Sequence, residues 1–174
     1  MPIRVAPDRA EVRKALEKRR AKNLAAFRAY RKAGVYPHNF VRSGPLNVWI
    51  DQDGHLCAAA TMIAKDGKRA LVDDIGKTDN FIRLLNVTEG ALLDWMLTSG
   101  FTIEEIDRIQ VPGFGQEDFR QPQPDWTVED NRLRGVYAST DAWLVKHAKK
   151  NLDKAVSRLM QNPELAQKLV DGTL

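Results

Sequence analysis

The chain has 174 residues, 43% hydrophobic and 29% charged, a globular mixture that excludes a collagen-like, low-complexity or charge-dominated disordered chain. Its one cysteine excludes an intramolecular disulfide and a cysteine-based zinc site. No apolar run approaches the roughly 20 residues that cross a bilayer, so a soluble domain is expected. The net charge of +4 is unevenly placed. Residues 1–34 hold eleven Lys and Arg against Asp8, Glu11 and Glu17, whereas the rest of the chain holds 16 basic and 20 acidic residues. A basic arm of +8 thus precedes a body of −4, a pattern that points to an anionic partner or to pairing between arm and body.

Pro7 and Asp8 open a predicted helix that reaches Ala33, with Gly34 and Pro37 to end it. At about 100° per residue, Val12, Leu16, Phe27 and Tyr30 share one face, flanked by Leu24. Arg13 to Lys22 is polar nearly all round, so this half is expected to project or to lie on the surface. Residues 35–45 are turn-rich. Leu46 to Ile50 then alternates as a short strand, Asp51 to Gly54 forms a turn, and His55 and Leu56 begin a return strand. Cys57 to Ala64 reads as a helix of small residues, followed by a second from Lys68 to about Lys77. Asn80 to Val87 fits strand or helix equally.

Glu89 to Ser99 is a helix with Leu92, Leu93, Met96 and Leu97 inward and Gly100 at its end. Thr102 and Glu105 form a capping box opening a helix through Gln110, stopped by Val111-Pro112-Gly113. The Pro- and Gly-rich stretch 113–126 is a linker. Beyond it Ser139 or Thr140 is expected to cap a helix to about Gln161, with Leu144, Val145, Ala148, Leu152, Ala155, Val156 and Leu159 as its core stripe. Pro163 and Gly172 bound a last helix. The expected class is mainly α (α+β), a helical domain with one short β-hairpin or strand element. It comprises a basic helix (1–34), a small α+β core (35–112), the linker, and a C-terminal helical segment (127–174) packing on the core as one compact domain.

The middle of the chain resembles a group of small bacterial proteins, often exported, that carries no assigned activity. The resemblance rests on Val48-Trp49-Ile50-Asp51 leading through Gly54 to Cys57-Ala58-x-Ala60, then Leu71-Val72-x-x-Ile75, Asp94-Trp95, Ser99-Gly100-Phe101-Thr102 with Glu104-Glu105, and Ile109-Gln110. It covers roughly residues 20–112 and implies a shared fold unit without a chemistry. Met1 to Ala6 precedes no apolar stretch of signal-peptide length. The chain as it stands is therefore expected in the cytoplasm, and in the periplasm if an export signal has been removed.

Two places invite a functional reading. The basic helix offers Arg13, Lys14, Lys18, Arg19, Arg20 and Lys22, which could neutralise phosphates or an acidic protein surface. It lacks interleaved aromatic residues between Arg9 and Lys22, and its bland reading is a solvated helix docked on an acidic body. Cys57 follows a turn near a helix N-terminus, where free N–H groups stabilise a thiolate. A cysteine nucleophile needs a base, for which His38 in Tyr36-Pro37-His38 is the candidate. The alanine-rich context suits a packed, unreactive thiol equally.

Asp51-x-Asp53-Gly54 departs from a calcium loop, with Gly at four and Met62 at twelve, and reads as an Asx turn. No metal or cofactor is expected. A non-catalytic binding module with the basic helix on an anionic partner is the favoured function. The alternative is a cysteine-dependent hydrolase or transferase using Cys57.

Overall fold

The computed structural model describes residues 6–39, 48–111 and 126–174. Eight α-helices run through them: α1 (Arg9–Ala33), α2 (Ala58–Lys65), α3 (Arg69–Thr78), α4 (Gly90–Thr98), α5 (Ile103–Gln110), α6 (Trp126–Lys146), α7 (Ala148–Leu159) and α8 (Pro163–Asp171). One 3₁₀ turn, Leu84–Asn86, separates α3 from α4. The long basic helix α1 is the spine, touching α2, α6, α7 and α8.

Among the described residues two apolar clusters are buried, and α1 enters both. Phe27 and Tyr30 join Tyr36, Trp49, the Cys57–Ala60 segment, Met62, Ile63, Trp95, Met96, Phe101 and Tyr137 in the larger one. Val12 and Leu16 join Leu152, Ala155, Val156, Leu159, Leu165, Ala166 and Leu169 of the α7–α8 hairpin in the smaller. The first half of α1 therefore does not project: Val12 and Leu16 are both 0% exposed. Two apolar side chains one turn apart suffice here, because the α7–α8 hairpin brings its own continuous apolar groove to them.

The expected β-hairpin is replaced by one isolated antiparallel bridge, Ile50 to Leu56, and no strand occurs among the described residues; Leu46 and Asn47 lie outside them. The turn Asp51–Gly54 does form, with Gly54 at φ +84°. Beyond it the return segment makes two cross-chain bonds, Asp51 N to His55 O and Cys57 N to Trp49 O (3.0 Å each), and then ends because Cys57 caps α2; Asn80 serves the outer edge of residues 49 and 50. The Asn80 side chain donates to Ile50 O (2.7 Å) and accepts from Ile50 N (3.0 Å), while its main-chain carbonyl accepts from Trp49 N (2.9 Å). Gln110 treats the ambiguous 80–87 stretch in the same way, accepting from Leu84 N (2.8 Å) and donating to Ile82 O (2.7 Å). Carboxamides thus satisfy backbone groups that would otherwise require a ladder.

The C-terminal region corrects a second expectation. α6 begins at Trp126, well before Ser139, and a break at His147 separates it from α7. Leu133, Tyr137, Thr140 and Leu144 form the buried stripe of α6. Val145 is 53% exposed, because the break resets the helical phase and the single stripe drawn across 144–159 does not exist. The expected linker lies outside the described residues apart from Trp126, the first residue of α6. Local signals elsewhere act as expected: Thr102 and Glu105 make both bonds of the capping box, and Gly34 and Gly172 close α1 and α8 with positive φ.

Candidate functional site

The six basic residues of α1 divide sharply once the body is in place. Arg20 is 7% exposed; its guanidinium forks onto Glu105 (2.7 and 2.8 Å) and donates to Gly100 O (3.1 Å) and Leu144 O (3.0 Å). Glu105, itself 0% exposed, also accepts from Thr102 N (2.9 Å) and Asn151 Nδ2 (2.9 Å). This network ties α1 to the α4–α5 turn, α6 and α7, and Arg20 is unavailable to any partner. Gly100 permits it: at φ +86°, a Cβ there would lie 2.4 Å from Arg20 N and 2.5 Å from Leu16 O, so the turn presses directly on the backbone of α1.

Arg19 and Lys22 converge on Asp66, whose side chain is 3% exposed and which also accepts from Trp95 Nε1 at 2.9 Å. Burial pushes the Asp66 carboxyl up, but the bonds from Arg19 and Lys22 outweigh it and hold the group below the usual range. Arg13 pairs with Asp153 of α7. Further along, Arg28 and Arg31 clamp Asp141, and the bond from Arg28 above all holds that carboxyl low. Lys14 and Lys18, one turn apart on the solvent face, are exposed and have no ion-pair partner among the described residues.

Cys57 occupies the N-cap of α2 and accepts from Ala60 N at 3.5 Å. It is 0% exposed, and burial pushes its thiol up to about 12 against the opposing backbone bonds. At that value the thiol stays protonated at neutral pH, and the burial that raises it also bars a substrate. His38 directs Nε2 to Asp130 (2.9 Å), stacks on Trp126 (ring centroids 4.2 Å apart) and gives its backbone N–H to Asp51 (3.0 Å). The geometry gives Cys57 a capping and packing role beside Tyr30 and Tyr137, and makes His38 a fastener between the end of α1 and the start of α6.

Asp51, Asp53 and His55 bring ligand atoms within 4.8 Å of one another. Asp51, however, already spends both oxygens: Oδ1 accepts from Asp53 N and His55 N (2.9 Å each), Oδ2 from His38 N (3.0 Å) and His55 Nδ1 (3.1 Å). Burial raises the Asp51 carboxyl, yet these donors outweigh it and keep it low. This is the donor set of a turn hub rather than of a free ligand.

Three features escape a reading of the sequence by averages. Trp143 packs between the Arg108 guanidinium (4.3 Å to the ring centroid) and the His147 ring (4.5 Å), joining α5 to the α6–α7 break. A cleft of about 400 Å³ lies between the α4–α5 turn and α7, with Met96, Phe101 and Ile103 at its base and Glu104 and Arg158 across its rim. The segment Lys146-His147-Ala148-Lys149-Lys150, at the α6–α7 break, carries three exposed lysines. Its charge was visible in the sequence but was lost in the net −4 of the body. No protein-family model, curated protein or solved structure matches the chain.

Proposed function

We propose that the protein is a non-catalytic binding module whose basic helix α1 meets an anionic partner. The observation that carries this reading is the division of labour along α1. Arg13, Arg19, Arg20, Arg28 and Arg31 are engaged by the body, while Lys14 and Lys18 stand exposed with no ion-pair partner among the described residues. Their positive charge has no internal use, and burial and internal pairing hold the helix that carries them rigid. The resemblance to the group of small bacterial proteins adds no activity to this reading. Full burial of Cys57 weighs against the cysteine-dependent alternative.

The test is a salt-titrated binding measurement with anionic baits, comparing the natural protein with Lys14→Gln/Lys18→Gln. Binding that weakens several-fold in the variant and falls steeply with salt supports the reading. Equal binding by both proteins overturns the role of α1. In parallel, an alkylating probe should label Cys57 slowly in the folded protein; rapid labelling at neutral pH would restore the thiol as a reactive group.

A further inference from the structure

We infer that the anionic partner is the phosphate backbone of a nucleic acid, held in a sequence-independent manner by a lysine surface that α1 shares with the α6–α7 junction. This assignment rests on the binding-module reading above. α1 runs antiparallel to α7, tied to it at two points, Arg9 Nη2 to Ser157 Oγ (2.9 Å) and Arg13 to Asp153, and it is tied to the end of α6 by Arg20 Nη2 to the Leu144 carbonyl (3.0 Å). That register sets Lys154, Lys150, Lys149 and Lys146 level with residues 12 to 20 of α1, a stretch of about 12 Å of helix axis. Lys14 and Lys18 lie within it.

All six lysines are exposed and none has an ion-pair partner among the described residues. Among the acids of the same stretch, Glu17 and Asp153 are held by Arg13; Glu11 is the exposed acid one turn before Lys14. Lysines from two helices thus form one positive surface that no single segment of sequence displays.

The chemistry of this surface selects the partner. Protein interfaces are depleted in lysine and need an apolar centre. Here the exposed residue between Lys14 and Lys18 is Glu17, no large apolar side chain of α1 between Arg9 and Lys22 is exposed, and the large exposed apolar residue next to Lys146 in the chain is Val145. A bilayer surface likewise requires large apolar side chains that this face lacks. Flexible point charges spread over about 12 Å suit repeated phosphates, which lie about 3.4 Å apart along the axis of each strand. No base-reading element accompanies them, so affinity should come from counterion release and be indifferent to sequence.

The test is fluorescence anisotropy with labelled 20-nucleotide single strands and 20-base-pair duplexes of two unrelated sequences, from about 25 to 200 mM salt. Poly-glutamate serves as the acidic-polypeptide bait. Three forms of the full chain are compared: natural, Lys14→Gln/Lys18→Gln, and Lys146→Gln/Lys149→Gln/Lys150→Gln, each checked for a native circular dichroism spectrum. The expected result is duplex binding with equal affinity for both sequences. The slope of log K against log salt should be about −4, reduced by roughly 1 to 2 in the double variant and 2 to 3 in the triple variant.

Binding lost in the double variant but unchanged in the triple one overturns the shared surface and leaves the α1 module standing. Binding to poly-glutamate without binding to either nucleic acid overturns the partner and also leaves the module standing. Failure with every bait overturns both.

Discussion

The two halves of α1 use the same kind of sequence to opposite ends. From Leu24 onward the helix carries large apolar residues, and Phe27 and Tyr30 sit in the main core among Tyr36, Trp49 and Tyr137. From Arg9 to Lys22 it carries mostly charge, and Val12 and Leu16, with Ala15 at the edge, reach the second cluster. The second half is fixed by buried area, about 25 cal/mol for each Å² of apolar surface. The first half is fixed by few apolar contacts and by charged groups taken out of water in matched pairs. The Arg20–Glu105 fork is the extreme case, and it lies at the boundary between the halves. A charged helix therefore need not be a free one: the body meets it with Asp66, Glu105 and Asp153, each at a position where a cation of α1 arrives.

The largest expected effect comes from the close approach at that boundary. Gly100→Ala would force α1 and the α4–α5 turn apart, because both the positive φ and the 2.4 Å approach to Arg20 N oppose it; a loss on the order of 4 to 5 kcal/mol, or failure to fold, should appear in urea unfolding. Next, Arg20→Met or Glu105→Leu alone leaves a buried group without its charge partner and should cost about 3 to 5 kcal/mol, while Arg20→Met/Glu105→Leu should recover much of that loss. Additive losses in this double-mutant cycle would show that the two side chains act independently.

Leu16→Ala should cost about 2 to 4 kcal/mol and Phe27→Ala about 3 to 5 kcal/mol. If the halves form one cooperative unit, both variants keep a single transition with an unchanged m value. A second transition in Leu16→Ala alone would mean that the α7–α8 cluster opens by itself.

A smaller effect follows from pH. Asp66 and Asp141 are held below their ordinary values in the folded protein. The stability they contribute is present above the unfolded value of about 3.9 and is lost as pH falls through the lower folded values. Tm should hence be flat down to about pH 5 and fall steeply below about pH 4. Asp66→Asn should lower Tm at neutral pH and flatten that acid limb; an unchanged limb would show that the Arg19–Lys22 clamp does not set the titration. The smallest effect is expected at the solvent face of α1, where Lys14→Gln/Lys18→Gln should change stability by less than about 0.5 kcal/mol.

How far the sequence could be read follows the range of the interactions involved. The Thr102–Glu105 box, the Asp51–Gly54 turn, the Gly34 and Gly172 ends, and Pro163 at the start of α8 are all settled within about four residues, and each formed where the residues said it would. Signals of the same length also misled. Ser139 and Thr140 resemble a cap yet lie inside α6, because the stripe of Leu133, Tyr137 and Leu144 carries the helix through them. The hairpin pattern at Leu46–Leu56 stops at a single bridge because Cys57, two residues past His55, is already the N-cap of α2, while Asn80, some thirty positions from Ile50, satisfies the outer edge of Ile50 through its carboxamide. The candidate surface was half legible: α1 announced its charge, but which of its cations remained free did not.

By itself, then, the sequence determined a mainly helical chain, the ends of most of its helices, and a strongly basic first helix, because periodicity, caps and charge are local properties. Only the tertiary structure decided what that charge does. Pairing depends on which carboxylates the fold brings opposite each turn of α1, and those lie from 44 to 140 positions away in the chain. The same folding placed Cys57 beyond the reach of solvent and left Lys14 and Lys18 exposed and without an ion-pair partner among the described residues. No local pattern encodes such neighbours, since burial and juxtaposition are set by packing across the whole chain.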